Sequence, residues 1–172
     1  REAIDSEGWF HTGDAGYMKD GELFLTERIK DLFKTSNGKY IAPQAIESKL
    51  VIDRYIEQIV IVANERKFVS ALIVPAFPQL EAYAAEQGIS YASRQELCAH
   101  PAVNKLIADR IETLQQDLAY FEKVKRFVLL SEPFGLENGE MTNTLKVKRN
   151  VVYEHYKAQI DAMYAAAERE QA

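Results

Sequence analysis

The amino-acid sequence predicts an α+β fold, a small mixed sheet packed with helices and preceded by a β-hairpin. Two β-branched apolar runs, 57–63 and 68–75, are short, nearly continuous and bounded by turn or charge signals, the pattern of buried strands. Downstream, apolar residues recur at three- and four-residue spacing, the period of a helix with one buried face. Asp20-Gly21 and Asn37-Gly38 each lie between strand-like arms, and such pairs accept the positive φ of a tight hairpin turn. With 172 residues, 47% of them hydrophobic, the chain is large enough for one core, or for one core and a piece of another.

Taken in order, 7–29 reads as a hairpin, with Gly16-Tyr17-Met18 and Glu22 to Leu25 flanking Lys19-Asp20-Gly21. A second hairpin follows. Its arms are Leu32 to Thr35 and Lys39 to Ala42, and its tip is Ser36-Asn37-Gly38, with both Asn37 and Gly38 expected at positive φ. Pro43 suits a first helical position, and Ile46, Leu50 and Val51 then mark a buried stripe. The runs 57–63 and 68–75 are expected as central strands joined through Asn64-Glu65-Arg66-Lys67. Helices are expected over 77–86 and 94–118, the latter restarted by Pro101, and a further strand over 126–130. The stretch 135–144 is polar and turn-rich, and a final helix is marked by Val147, Val151, Val152, Tyr156, Ile160, Met163 and Tyr164.

Composition excludes some functions. No apolar run is long enough to span a bilayer, and no signal-peptide pattern is present. The net charge of −5, with no uniformly basic face, argues against nucleic acid as a partner. A single cysteine, Cys98, forms no internal disulfide and fits a reducing compartment. His11 has no second ligand at metal-binding spacing, so no metal site is expected. The chain starts at Arg1 and shows no phosphate-binding glycine loop, so the expectation is a piece of a longer protein.

Several motifs in a fixed order carry a resemblance. They are F-H-T-G-D at Phe10 to Asp14, E-R-I-K-D at Glu27 to Asp31, the Asn-Gly turn, A-P-Q-A-I-E at Ala42 to Glu47 and M-T-N-T-L-K-V-K-R at Met141 to Arg149. Together they resemble the C-terminal part of the adenylate-forming, AMP-binding acyl-CoA ligases. The last motif is similar to the long-chain fatty acid branch rather than to the glycine-lysine form common elsewhere in that superfamily. On this resemblance, 1–29 is the terminal hairpin of a missing N-terminal adenylation lobe, and 30–172 is a mobile C-terminal lobe.

The resemblance assigns roles residue by residue. Thr12, Asp14 and Arg28 contact the nucleotide of ATP or AMP, Asp14 accepting from both ribose hydroxyls, a task suited to the two oxygens of a carboxylate. Taken alone, Asp14 beside Gly13 would read as a turn residue. Lys30 is the hinge, and Lys34 and Gly38 belong to the loop that serves the thioester step on the coenzyme A side. Lys146 bridges the acid's carboxylate and the α-phosphate, where a fixed cation offsets developing negative charge. Lys123, Lys125 and Arg126 read as a solvated basic edge on charge pattern, and the resemblance adds the 3′-phosphate end of coenzyme A as their ligand. Lys148 and Arg149 sit where a helix dipole disfavours positive charge, which points to a use other than helix stability.

The implied activity is a two-step acid–thiol ligation. A fatty acid attacks Mg²⁺-ATP to give acyl-AMP and pyrophosphate, and coenzyme A then displaces AMP. Fatty acid, ATP, coenzyme A and the missing N-terminal lobe are the expected partners, Mg²⁺ the expected ion, and the cytoplasm or its membrane surface the expected location. This chain alone is expected to be inactive. Two alternatives stay open: a ligase for an aromatic or short-chain acid, and a non-catalytic interaction module on the same fold.

Overall fold

In a computed structural model, residues 4–170 are described, and the remaining terminal residues of the two spans, 1–3 and 171–172, lie outside the described residues. The first unit is an antiparallel hairpin of β1 (Asp14–Lys19) and β2 (Glu22–Arg28). Its Asp20-Gly21 tip has φ 52° and 83°, both positive as expected of a primed turn. Apolar side chains cover the hairpin without being buried: Tyr17, Met18, Leu23 and Leu25 are more than half exposed, as are Trp9 and Phe10 before it.

A single 3-10 turn, Ile29–Asp31, joins this hairpin to the rest. Then come β3 (Phe33–Lys34), β4 (Tyr40–Ile41) and α1 (Pro43–Leu50). In α1, Ile46 and Leu50 are buried, but Val51 is 40% exposed because the helix ends at Leu50 and Val51 is its C-cap. The stripe is therefore narrower than its spacing predicts.

The main sheet has the order β5-β6-β7, formed by Ile56–Val62, Val69–Pro75 and Val124–Leu129. β5 and β6 are antiparallel, β6 and β7 parallel, so the sheet is mixed as predicted. Only β6 is central, however. β5 is an edge strand, and its apolar character comes from helical cover rather than from a second strand neighbour. At its outer edge the Glu47 carboxylate accepts the Ile61 N–H at 2.7 Å, and the Tyr153 hydroxyl donates to the Ile61 carbonyl at 2.6 Å. These side chains satisfy backbone groups that would otherwise template intermolecular pairing.

Around this sheet lie α2 (Phe77–Glu86), α3 (Arg94–Ala99), α4 (Pro101–Leu114), α5 (Arg149–His155) and α6 (Lys157–Glu170). Pro101 restarts the helical run as expected, yet α4 stops at Leu114, so Leu118 packs on the core from outside any helix. Caps mark both starts: Ser93 Oγ accepts from Glu96 N, and His100 Nδ1 accepts from Ala102 N. The final helix is likewise two helices, broken at Tyr156, whose φ of −102° and ψ of 17° leave the helical basin. The core comprises Ile61, Leu72 and Ile73 of the sheet with Ile46, Leu80 and Ile107 of the helices, each 1% exposed or less. Each such side chain contributes about 1.5–3 kcal/mol on burial.

Burial also sets an alkaline limit on stability. It pushes the Cys98 thiol up to about 11 and the Tyr164 hydroxyl up to about 12, and it raises Tyr153 further. These groups are neutral when folded, so above about pH 9 the unfolded chain sheds protons that the native chain retains, and stability falls. The urea midpoint is expected to drop between about pH 8 and about pH 10.5, with Cys98 alone contributing on the order of 1–2 kcal/mol. An unchanged midpoint would contradict the burial of these groups.

Candidate functional site

Asp14 and Arg28, singled out separately in the sequence, are cross-strand partners in the hairpin. Arg28 Nε lies 3.0 Å from Asp14 Oδ1, and Thr12 Oγ1 accepts the Asp14 N–H at 3.1 Å. Thus Thr12, Asp14 and Arg28 form one polar corner. It displays a carboxylate and a guanidinium side by side, suited to a diol and a phosphate respectively. The hairpin ladder closes just beyond, where Ile29 N donates to Gly13 O at 2.8 Å. Past that point, the 3-10 turn carrying Lys30 is closed by one backbone bond, Leu32 N to Ile29 O, at 3.3 Å. Lys30 is exposed there.

The loop between β3 and β4 differs from its expected form. Of its tip residues only Gly38 has positive φ, at 77°. Gly38 N donates to Thr35 O at 2.9 Å, so an ordinary turn is followed by one left-handed residue instead of a primed pair. Tertiary bonds select this form: Asn37 Nδ2 donates to Lys67 O at 3.2 Å, and Ser36 N donates to Arg66 O at 3.0 Å. Lys34 is likewise tied in, its N–H donating to Asn64 Oδ1 at 3.3 Å. The tip is thereby fixed to the turn after β5, while a Cβ added at Gly38 would meet nothing within 4 Å. Its outer side is open.

The loop that carries Lys146 has the same architecture. Thr142 N donates to Lys146 O at 2.8 Å, Lys146 N to Thr142 Oγ1 at 3.1 Å, and Leu145 N to Thr142 O at 2.8 Å. In the other loop Thr35 N donates to Lys39 O at 2.9 Å, Lys39 N to Thr35 Oγ1 at 3.1 Å, and Gly38 N to Thr35 O at 2.9 Å. Both are Thr-to-Lys turns with a left-handed residue just before the lysine, Gly38 in one and Leu145 at φ 59° in the other. Among the described residues no hydrogen bond or ion pair joins the two loops. The repeated threonine four places before a lysine is the sequence signal of this equivalence; the motifs alone place Lys39 on a hairpin arm and give Leu145 no role.

Both loops are anchored, the first to the turn after β5 and the second to α5. At the base of the second, the buried Glu140 carboxylate is held by His155 Nδ1 at 3.0 Å and Asn138 Nδ2 at 2.5 Å, and Glu140 O accepts the Lys148 N–H at 2.7 Å. A bridge between Met141 and Val147 closes the loop. Next to it, Arg149 makes a two-pronged pair with Glu47, both contacts at 2.5 Å, with the side chains 23% and 16% exposed. Burial alone would lower the Arg149 pKa, but the Glu47 carboxylate outweighs it and holds the guanidinium above its usual range. This explains a cation at the unfavourable end of α5.

A cleft of about 660 Å³ opens between the Ser36-Asn37 tip and β7, lined also by Lys39, Lys125 and Arg126. Lys125 Nζ lies 3.2 Å from the Tyr120 ring centroid and lowers that phenol's pKa, and Lys39 Nζ lies 5.4 Å from the Phe121 centroid. Lys123 is turned away from this group, 3.9 Å from Glu112. Of the predicted basic edge, Lys125 and Arg126 line the cleft with Lys39 from the loop, and Arg126 is paired there with Glu170.

This architecture recurs as one part of solved adenylation domains. The adenylation domain of a carboxylate reductase from Mycobacterium chelonae matches with a TM-score of 0.75 at 26% identity, over 95% of this chain and 24% of that one. The corresponding domain from Segniliparus rugosus, solved with AMP and a co-purified carboxylic acid, shares the fold with a TM-score of 0.75 at 23% identity, over 96% of this chain and 24% of that one. The chain belongs to the family of AMP-binding enzyme C-terminal domains, whose model matches residues 30–168. Long-chain-fatty-acid–CoA ligase 5 of Rattus norvegicus is 36% identical over 172 residues, 98% of this chain and 25% of that protein. The peroxisomal long chain acyl-CoA synthetase 7 of Arabidopsis thaliana is 36% identical over 169 residues, 96% of this chain and 24% of that protein. The chain thus spans about a quarter of the length of these curated relatives. Among the described residues, no helix is long and apolar enough to cross a membrane.

Proposed function

We propose that the chain is the C-terminal portion of an ATP-dependent fatty acyl-CoA synthetase that activates a long-chain acid as acyl-AMP and passes it to coenzyme A. Residues 1–29 are the last hairpin of the N-terminal adenylation lobe, and 30–172 are the mobile lobe. The observation that carries this reading is the pair of equivalent lysine-bearing turns, independently anchored and unlinked to each other. Two tools on one lobe suit two chemical steps. The family match beginning at Lys30 and the exposed apolar hairpin support the same division.

In the first step the acid's carboxylate attacks the α-phosphorus and pyrophosphate leaves. Asp14 holds the ribose diol, Arg28 lies beside the nucleotide, and Lys146 meets the negative charge that gathers as two anions approach. Rotation about Lys30 then withdraws Lys146 and brings the Gly38 turn to the site. There the coenzyme A thiolate attacks the acyl carbon and AMP departs. Gly38 leaves room for the pantetheine arm, Lys34 flanks it, and Lys39, Lys125 and Arg126 face the 3′-phosphate end in the cleft. Mg²⁺ offsets phosphate charge when bound with ATP. Among the described residues no group of His, Cys, Asp or Glu is arranged to hold a metal ion, so no step is assigned to this chain through it.

The intact parent is expected to show ATP–pyrophosphate exchange stimulated far more by palmitate than by benzoate or acetate. Stimulation by benzoate or acetate instead would move the enzyme to another acid, and no acid-dependent exchange at all would favour an interaction module. The isolated chain is expected to form no acyl-CoA; turnover by the purified chain would contradict the division into lobes.

Gly38→Leu tests the second turn. The added side chain fills the open space before Gly38 and places a branched residue at φ 77°. Acyl transfer to coenzyme A is expected to fall at least about tenfold, with pyrophosphate exchange retained.

A further inference from the structure

The two Thr-to-Lys turns differ at the one position where backbone geometry has a preference. The first uses Gly38 at its left-handed residue, and the second uses Leu145, at φ 59° and 67% exposed. A leucine is strained in that conformation and glycine is not. Among the described residues nothing rewards the exchange, because Leu145 is two-thirds exposed and absent from the hydrophobic core. The hydrogen bonds of both turns are equivalent, so the turn itself does not need leucine. An exposed apolar side chain at a strained position next to Lys146 points to a use outside the lobe.

We propose that Leu145 is an apolar cover for the adenylation step: it travels with Lys146, closes over the carboxyl end of the acyl chain and keeps water from the acyl-adenylate. This rests on the reading of Lys146 given above. The chemistry calls for such a cover. In the acyl-adenylate the acyl carbon bears a good leaving group, and water competes with the coenzyme A thiol for it. When water attacks, its oxygen bonds to the acyl carbon, the bond from that carbon to the phosphate oxygen breaks with its electron pair going to AMP, and a proton passes to solvent. ATP is then spent without thioester. The substrate fits as well, since the methylenes next to the carboxylate are within a residue's reach of the lysine that binds it, and they match leucine rather than a polar side chain.

The test uses the intact parent with Leu145→Gly and Leu145→Asn. Glycine relieves the strain and removes the cover; asparagine tolerates the left-handed region, keeps the size and removes the apolar character. The measurements are acyl-CoA formed per AMP released and the thermal midpoint. Both variants are expected to release at least about threefold more AMP per acyl-CoA than wild type, and Leu145→Gly is expected to be at least as stable as wild type. Wild-type coupling in either variant overturns the proposal. So does a less stable Leu145→Gly parent, because the side chain would then be held for the fold. Lys146→Ala serves as the control in the same assay. If that variant retains pyrophosphate exchange, the assignment of Lys146 has failed; if it loses exchange while the Leu145 variants stay coupled, the cover alone has failed.

Discussion

Lys146→Ala in the intact parent is expected to reduce acid-dependent ATP–pyrophosphate exchange by about a hundredfold or more. That corresponds to roughly 3 kcal/mol, the order found when one preorganised electrostatic donor is removed from a transition state. The structure supplies the preorganisation. Lys146 follows a residue at positive φ, its own N–H and C=O both bond to Thr142, and the loop base is clamped by the Met141–Val147 bridge and the Glu140–Lys148 bond. The side chain itself is exposed and free to reach outward. Synthetic acyl-adenylate and coenzyme A are expected to react at near the wild-type rate in this variant, since the second step uses the other turn. The fold should be unaffected, because removing an exposed lysine side chain leaves no buried group unpaired.

Glu47→Ala is expected to have a comparably large effect on stability instead. Its carboxylate receives both prongs of Arg149 and the Ile61 N–H, so truncation strands a largely buried guanidinium and an edge-strand donor together. Breaking such a pair costs about 3 kcal/mol, the low end of the range for buried pairs because Arg149 keeps some exposure. Against a total of roughly 0.05–0.15 kcal/mol per residue, that is a large share of the lobe's stability. A lower urea midpoint with an unchanged slope would show it. The double variant Glu47→Leu with Arg149→Met is expected to be more stable than Glu47→Ala alone, since no charge is left buried. Both half-reactions should suffer together in Glu47→Ala, because α1 follows the first turn and α5 follows the second.

Where local chemistry decides the structure, the sequence was a good guide. Asp20-Gly21 forms the expected primed turn, since among the described residues no hydrogen bond ties it to a distant partner, and Pro43 and Pro101 start helices because their missing N–H groups cost nothing there. Where distant residues decide, it was not. Asn37-Gly38 has the same local signal as Asp20-Gly21, yet the bond from Asn37 to Lys67, 30 residues away, draws it into another turn. The pattern of β5 marks burial but not the kind of neighbour, and helical cover reads like a strand on both sides. The break at Tyr156 has no proline or glycine to announce it, and apolar spacing continues across it. In the site, the motif residues were legible by type, and Asp14 with Arg28 proved to be one corner. The Glu47–Arg149 pair was not, because its members lie 102 residues apart, although the misplaced charge at the start of α5 was a hint.

The central claim is that one lobe presents two turns to one site in succession. The most direct measurement runs both half-reactions, acid-dependent pyrophosphate exchange and thioester formation from synthetic acyl-adenylate, on Lys146→Ala and Gly38→Leu side by side. Reciprocal loss is predicted, with exchange down about a hundredfold or more and transfer intact in Lys146→Ala, and transfer down at least about tenfold and exchange intact in Gly38→Leu. Equal loss of both reactions in both variants, with each protein folded, would contradict it.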